Sequence, residues 1–205
     1  MSDANAARRS EASSGKAGAD IETRVFLVGG ILLAFVLRLA FLGFESGDYG
    51  MFLSRWYDFI KTRGFLRAFR YSFSNYPPLY LHLLALGTLL PIPKLYAIKA
   101  VSIVFDFVAA AAAYRIVKEE CRGSLAPVYA FLAVLFAPTV LLNGAFWGQC
   151  DIIYCSMILI SLYLLMRRRH GMALVAYGLA FAFKLQSGFI LPVYVLLWLR
   201  KDLRF

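Results

Sequence analysis

The 205-residue chain is 61% hydrophobic and only 17% charged, with a mean hydropathy of +0.68. Soluble domains average about 45–50% apolar and about 25% charged residues, so a soluble globular fold is excluded. The net charge of +10 does not indicate nucleic-acid binding, because the basic residues gather in short loops beside apolar runs, where positive charge holds a loop on the cytoplasmic side.

Residues 1–20 are small, polar and charge-balanced, which predicts a disordered cytoplasmic tail; residues 21–205 are expected to form one transmembrane module. The run Val25–Phe44 is long enough to cross a bilayer, which takes about 20 apolar residues, and has no cleavage signature after it. Arg38 interrupts it and is expected either to snorkel or to pair with a carboxylate. Between Asp48 and Lys61, the apolar residues Tyr49, Phe52, Leu53, Trp56 and Ile60 recur at three- and four-residue steps, with Arg55, Asp58 and Lys61 between them. That spacing predicts an amphipathic helix in the membrane interface.

Pro77–Pro93 is apolar and bounded by prolines, and reads as either a span or a second interfacial helix. If it crossed, the basic loops at 118–122, 167–170 and 200–204 would all face outside. If it stays on the outer side, those loops join the N-terminal tail inside and bring 13 Lys/Arg to the cytoplasmic side. The positive-inside rule favours the second arrangement. The fold class expected is therefore all-α, a polytopic membrane helix bundle of about six spans near 25–44, 95–117, 125–146, 151–167, 171–186 and 187–200, with two interfacial helices in the first outer loop and both termini inside.

This topology brings three polar stretches to one face: the 45–75 loop, the turn from Trp147 to Asp151, and Lys184–Ser187. Polar groups at membrane depth are costly and usually functional. By position alone Asp48 reads first as a helix N-cap, which Gly47 before it permits, and second as a general base for a hydroxyl. Tyr76-Pro77-Pro78-Leu79 reads as a helix start. Gln149 and Asp151 combine an amide and a carboxylate, which suits sugar hydroxyls. Lys184 either snorkels or pairs with a lipid phosphate. Asp106, inside an apolar run, is expected to make a structural hydrogen bond, and Ala109–Ala113 to form a smooth face for close helix approach. Cys121, Cys150 and Cys155 contain no CxxC and the histidines are His82 and His170, so neither a disulfide framework nor a metal site is expected.

The order Gly47-Asp48-Tyr49, Trp56, Tyr76-Pro77-Pro78-Leu79, Trp147-Gly148-Gln149-Cys150-Asp151 and Phe183-Lys184-Leu185-Gln186 resembles the GT-C glycosyltransferases, multispanning enzymes that use polyprenyl-phosphate sugars. The first-loop motifs look like those of glucosyltransferases that build the N-glycan lipid precursor, and the later ones like bacterial relatives of GPI mannosyltransferase II. The resemblance implies transfer of mannose or glucose from a polyprenyl-phosphate donor to a lipid- or glycan-linked acceptor on the outer face of a bacterial plasma membrane, with the N-terminus cytoplasmic. It implies Asp48 as the base, and Tyr49, Arg55, Tyr76, Gln149, Asp151, Lys184 and Gln186 as substrate-binding residues, with no cofactor. Members of that superfamily generally have more spans than this chain offers, so the module is expected to be incomplete at its C-terminus and to pair with a chain supplying further helices. The alternatives are an inactive fragment or assembly subunit that binds polyprenyl lipid, and a small membrane transporter.

Overall fold

The computed structural model describes the backbone of residues 2–200 and the side chains of residues 21–200. The tail expected over 1–20 and the end of the last basic loop lie outside the fully described residues. The chain is 80% helical, with no strand among the described residues, as expected for a chain that closes its backbone hydrogen bonds within each segment in lipid.

Helices α1 (Ser2–Phe41) and α4 (Lys94–Glu120) are long and apolar enough to cross a membrane, α1 through its part Ile21–Phe41. Helices α5 (Ala126–Phe136) and α6 (Pro138–Leu141), the latter continued by a π-helical segment Leu142–Trp147, meet at a 45° bend and add a third span if taken as one unit. Helices α7 (Asp151–Met166), α8 (His170–Phe183) and α9 (Leu191–Leu199) are apolar but shorter. The 16 residues of α7 rise about 24 Å, less than the hydrocarbon thickness of about 30 Å. An all-α membrane bundle stands; of the six expected spans, two or three are long and apolar enough by themselves to cross among the described residues, and the others are shorter apolar helices.

Local chemistry explains the breaks. Pro138 has no N–H to continue α5 and holds Ala137 at φ −58°, ψ 123°, outside the helical region. Lys184 is extended at φ −157°, ψ 130°, so the helix expected to reach 186 stops at Phe183. The run expected to be helical from 187 begins instead as a 3₁₀ segment, Leu185–Ile190, and turns α-helical at Leu191, with Pro192 in its first turn.

Helix α4 is the centre of the bundle, packed along α5 and α7, with α7 in turn packed along α8. The alanine run does provide a close-approach face: Ala109 and Ala110 are wholly buried, and Ala110 packs with Ala34 of α1 and Leu135 of α5. Arg38 takes the carboxylate option. Its Nε donates to Asp106 Oδ2 at 2.8 Å, and its Nη1 and Nη2 donate to the Ala34 and Leu135 carbonyls at 3.0 Å each. Both ionic side chains are completely buried. The Leu135 carbonyl belongs to the last turn of α5, whose carbonyls lack helical partners, so Arg38 fills a vacancy created by the break at Pro138.

The first loop carries a π-helical segment Tyr49–Leu53, helix α2 (Ser54–Arg63), a 3₁₀ turn Ala68–Arg70 and helix α3 (Pro78–Gly87). At 10 residues, α3 rises about 15 Å and is too short to cross. The amphipathic pattern around α2 is present, but its apolar side packs on protein rather than facing lipid. Leu53, Trp56, Tyr57 and Ile60 are buried in one cluster with α3 and α4 residues, and the Tyr57 hydroxyl donates to the Gly87 carbonyl at 3.2 Å. Asp58 pairs with Lys94 at 2.7 Å, pinning α2 to the first turn of α4.

The two ends of the bundle are chemically distinct. Arg167 pairs with Glu119 at 3.0 Å, and Glu22 and Phe26 of α1 border the same hollow as Gly123 and Leu125. The 22–26 stretch of α1 and the basic turns at 118–125 and 167–170 therefore share one end. The exit of α1, the turn after Trp147 and Lys184 gather at the other.

Candidate functional site

At that second end, Asp48 does not cap the segment it precedes: its side chain makes no capping bond. Ser46 does so instead, its Oγ accepting from the Tyr49 N–H at 3.1 Å and donating to the Trp147 carbonyl at 2.6 Å. The Asp48 carboxylate is left to face the 147–149 turn. Its Oδ2 accepts from Trp147 Nε1 at 3.0 Å and from Gln149 Nε2, while Oδ1 receives no hydrogen bond from the described residues.

The turn is held from several sides. Gly148 sits at φ 80°, ψ 17°, a left-handed conformation that glycine adopts without steric cost. Its N–H donates to the Gly144 carbonyl at 3.0 Å, and the Gln149 N–H donates to the Asn143 carbonyl at 2.9 Å. From α4, Ser102 Oγ donates to the Gln149 carbonyl at 2.6 Å. One turn earlier on α4, the buried Lys99 donates to the Phe41 and Phe44 carbonyls at 2.8 and 2.7 Å, closing the C-terminal end of α1, where a cation meets the helix dipole favourably. The stem of Lys99 also lies directly under Gly148.

Asp151 opens α7, a favourable place for a carboxylate, and bridges two neighbours: Oδ1 pairs with Lys184 Nζ, and Oδ2 accepts from Asn143 Nδ2 at 3.1 Å. The extended backbone at Lys184 lets its side chain reach this point, with the ammonium 5.7 Å from the centre of the Tyr76 ring. Burial first, then the neighbouring Cys150, pushes the Tyr76 phenol above its ordinary range. Burial likewise pushes the Cys150 thiol up to about 11, so both groups hold their protons at neutral pH.

Two adjoining cavities result. The larger, about 740 Å³, is lined by Tyr76, Thr139, Leu142, Asn143, Phe146, Trp147, Gln149, Asp151 and Lys184. The smaller, about 140 Å³, is lined by Asp48, Phe52, Leu53, Trp56, Asn75, Tyr76 and Gln149. Tyr76 and Gln149 form the wall common to both.

Of the residues nominated by the sequence, Asp48, Tyr76, Gln149, Asp151 and Lys184 come together here. Tyr49, Arg55 and Gln186 do not. Tyr49 is 7% exposed and packed into the first-loop core, while Arg55 and Gln186 are exposed and line neither cavity. Each is close in sequence to a cavity residue, but successive side chains of a helical segment point in different directions, as Arg55 and Trp56 of α2 do, and Gln186 lies in the 3₁₀ segment that follows the extended Lys184. Asn143, Trp147, Trp56 and Asn75 were not singled out as site residues, nor were the supports Ser46, Lys99 and Ser102. Lys99 and Asn143 carried a readable signal, as polar side chains inside apolar runs.

Helices that match a membrane's thickness, with a carboxylate, amide and lysine cleft gathered at one end, define a membrane-embedded helical protein with a polar site at its rim. The chain belongs to glycosyltransferase family 87, a GT-C-type family, whose family model matches residues 73–205. It is accordingly a membrane glycosyltransferase. The matched segment contains Tyr76, Asn143, Trp147, Gln149, Asp151 and Lys184, and begins after Asp48. Neither a curated protein nor a solved structure shows a significant match to the chain.

Proposed function

We propose that this protein transfers a hexose, mannose or glucose, from a polyprenyl-phosphate donor to a lipid- or glycan-linked acceptor on the extracytoplasmic face of the membrane, with inversion at the anomeric carbon. The observation that carries the reading is the Asp48 carboxylate: one oxygen is held by Trp147 and Gln149, the other takes no hydrogen bond from the described residues, and the group lines the smaller cavity, which shares Tyr76 and Gln149 with the larger. Asp48 Oδ1 takes the proton of the acceptor hydroxyl, whose oxygen attacks the anomeric carbon as the bond to the donor phosphate breaks. The electron pair leaves with the polyprenyl phosphate, a leaving group good enough to need no general acid.

The larger cavity suits the donor's sugar phosphate. An ammonium has three donors, and Asp151 takes one from Lys184, leaving others to meet the charge that grows on the departing phosphate. Asn143, Asp151 and Gln149 offer the paired acceptors and donors that hold sugar hydroxyls. The smaller cavity, beside Asp48 and Trp56, suits the acceptor group.

The test is Asp48→Asn in membranes supplied with radiolabelled polyprenyl-phosphate mannose or glucose. The amide can still accept from Trp147 but cannot take a proton. Transfer is expected to fall about 10²–10⁴-fold, the usual contribution of a general base, with unchanged expression and thermal midpoint. Transfer near the wild-type rate would remove Asp48 as the base.

A further inference from the structure

The first loop carries a cluster of charge that lines neither cavity of the candidate site. Arg55, Lys61, Arg63, Arg67 and Arg70 fall within 16 residues, against the single carboxylate of Asp58. All five cations are exposed, and Asp58 is already engaged by Lys94. The Arg63 guanidinium lies 5.7 Å from the Phe59 ring centre and 5.0 Å from that of Tyr71, bracing the segment into one lobe. Leu66 and Tyr71 project from it at 75% and 51% exposure.

Its height relative to the bilayer follows from the fold. Lys94 is the first residue of a helix long enough to cross a membrane, and the Asp58–Lys94 pair holds α2 at that level. Helix α2 turns Trp56 inward to the smaller cavity and its cations outward. The lobe thus stands at the membrane surface on the site's own side, at the bundle end opposite the basic turns that pair through Arg167 and Glu119. Charge that anchors topology belongs at that other end, so these five cations need a different explanation.

We propose that the lobe spanning residues 55–71 docks on anionic phospholipid headgroups of the adjacent leaflet, with Arg55, Lys61, Arg67 and Arg70 pairing with phosphates and Leu66 and Tyr71 entering the interface. Guanidinium groups match phosphate oxygens two at a time, tyrosine is favoured at headgroup depth, and each cation near an anionic surface adds attraction that decays within a Debye length. Docking here holds α2, and with it the wall of the smaller cavity, against the membrane.

The full chain carrying Leu66→Cys, with Cys121→Ser and Cys155→Ser, is labelled at position 66 with an environment-sensitive fluorophore; the remaining Cys150 is buried, at 5% exposure. The protein is reconstituted in vesicles of phosphatidylcholine and phosphatidylglycerol, with a headgroup-region spin label placed on one lipid or the other. Quenching by the labelled anionic lipid is expected to exceed that by the zwitterionic one roughly twofold or more at low salt, and to approach equality at about 1 M salt, where the Debye length is about 3 Å. The fourfold variant Arg55→Gln, Lys61→Gln, Arg67→Gln, Arg70→Gln is expected to abolish the difference. Equal quenching by the two lipids at low salt, or a preference that survives high salt, would overturn the proposal even if the fourfold variant could not be produced.

Discussion

Trp147 shows how much a single side chain in the turn is asked to do. Its carbonyl is held by Ser46, its indole N–H holds Asp48, and its ring, 44% exposed, lines the larger cavity. Trp147→Phe keeps the ring and removes the N–H, leaving Asp48 with Gln149 as its one donor among the described residues. A hydrogen bond to a charged group contributes about 1.5–3 kcal/mol, so kcat is expected to fall about tenfold or more. Because a phenyl ring still fills most of that wall, KM for the donor should hardly move, while the thermal midpoint should fall by no more than a few degrees. A rise in donor KM with kcat preserved would make the indole a binding surface rather than a positioning group. Lys99 acts one layer below: it ties the exit of α1 to α4 beneath Gly148, so the two strands of chain that carry Asp48 and Gln149 share one anchor.

Between elements, the Arg38–Asp106 pair joins three helices at once: α1 supplies the arginine, α4 the carboxylate, and the broken end of α5 a carbonyl. Gly144 of the π-helical segment passes close to Asp106, where a Cβ would stand 3.3 Å from Oδ1; a larger residue would push the carboxylate or the segment aside. Removing one partner of a buried ion pair strands the other. Arg38→Met is therefore expected to cost about 3–5 kcal/mol, read as a drop in thermal midpoint in detergent. Arg38→Met combined with Asp106→Leu is expected to regain much of this, short of full recovery because the Leu135 carbonyl still lacks its donor. A double variant no more stable than Arg38→Met would show that the carbonyl bonds, not the ion pair, hold the three helices together.

For the whole molecule, the segregation of its ends makes a prediction about sidedness. The turn at 167–170 is tied to Glu119, while Glu45 and Ser72 are exposed near the site. Glu45→Cys and Ser72→Cys, in a background lacking the native cysteines, should react with a membrane-impermeant maleimide in intact cells. Arg168→Cys should react after permeabilisation alone. Labelling of position 168 from outside would invert the topology and place the site on the cytoplasmic side. Ser46 would be an unsuitable reporter despite its place in the same loop, since it is 4% exposed and bonded to Trp147.

Hydropathy, charge placement and a few polar residues in apolar surroundings were enough to make the chain an all-α membrane bundle, to keep Pro77–Pro93 out of the set of spans, and to bring Asp48, Gln149, Asp151 and Lys184 to one end, while Tyr76 was nominated by the family resemblance. Those properties follow from the cost of burying polar groups in lipid and from the positive-inside bias, both of which act on composition and local order. Tertiary structure decided the rest. Whether Asp48 caps a helix or faces the cleft depends on Ser46 reaching the same N–H and on a turn a hundred residues away, which no local pattern encodes. The shortened helices follow from particular backbone breaks at Ala137 and Lys184, and a hydropathy window averages over such breaks. Tyr49, Arg55 and Gln186 stayed out of the cavities for a similar reason: motif membership is linear, but the direction of a side chain is set by helical rotation and by what the neighbouring helix will bury.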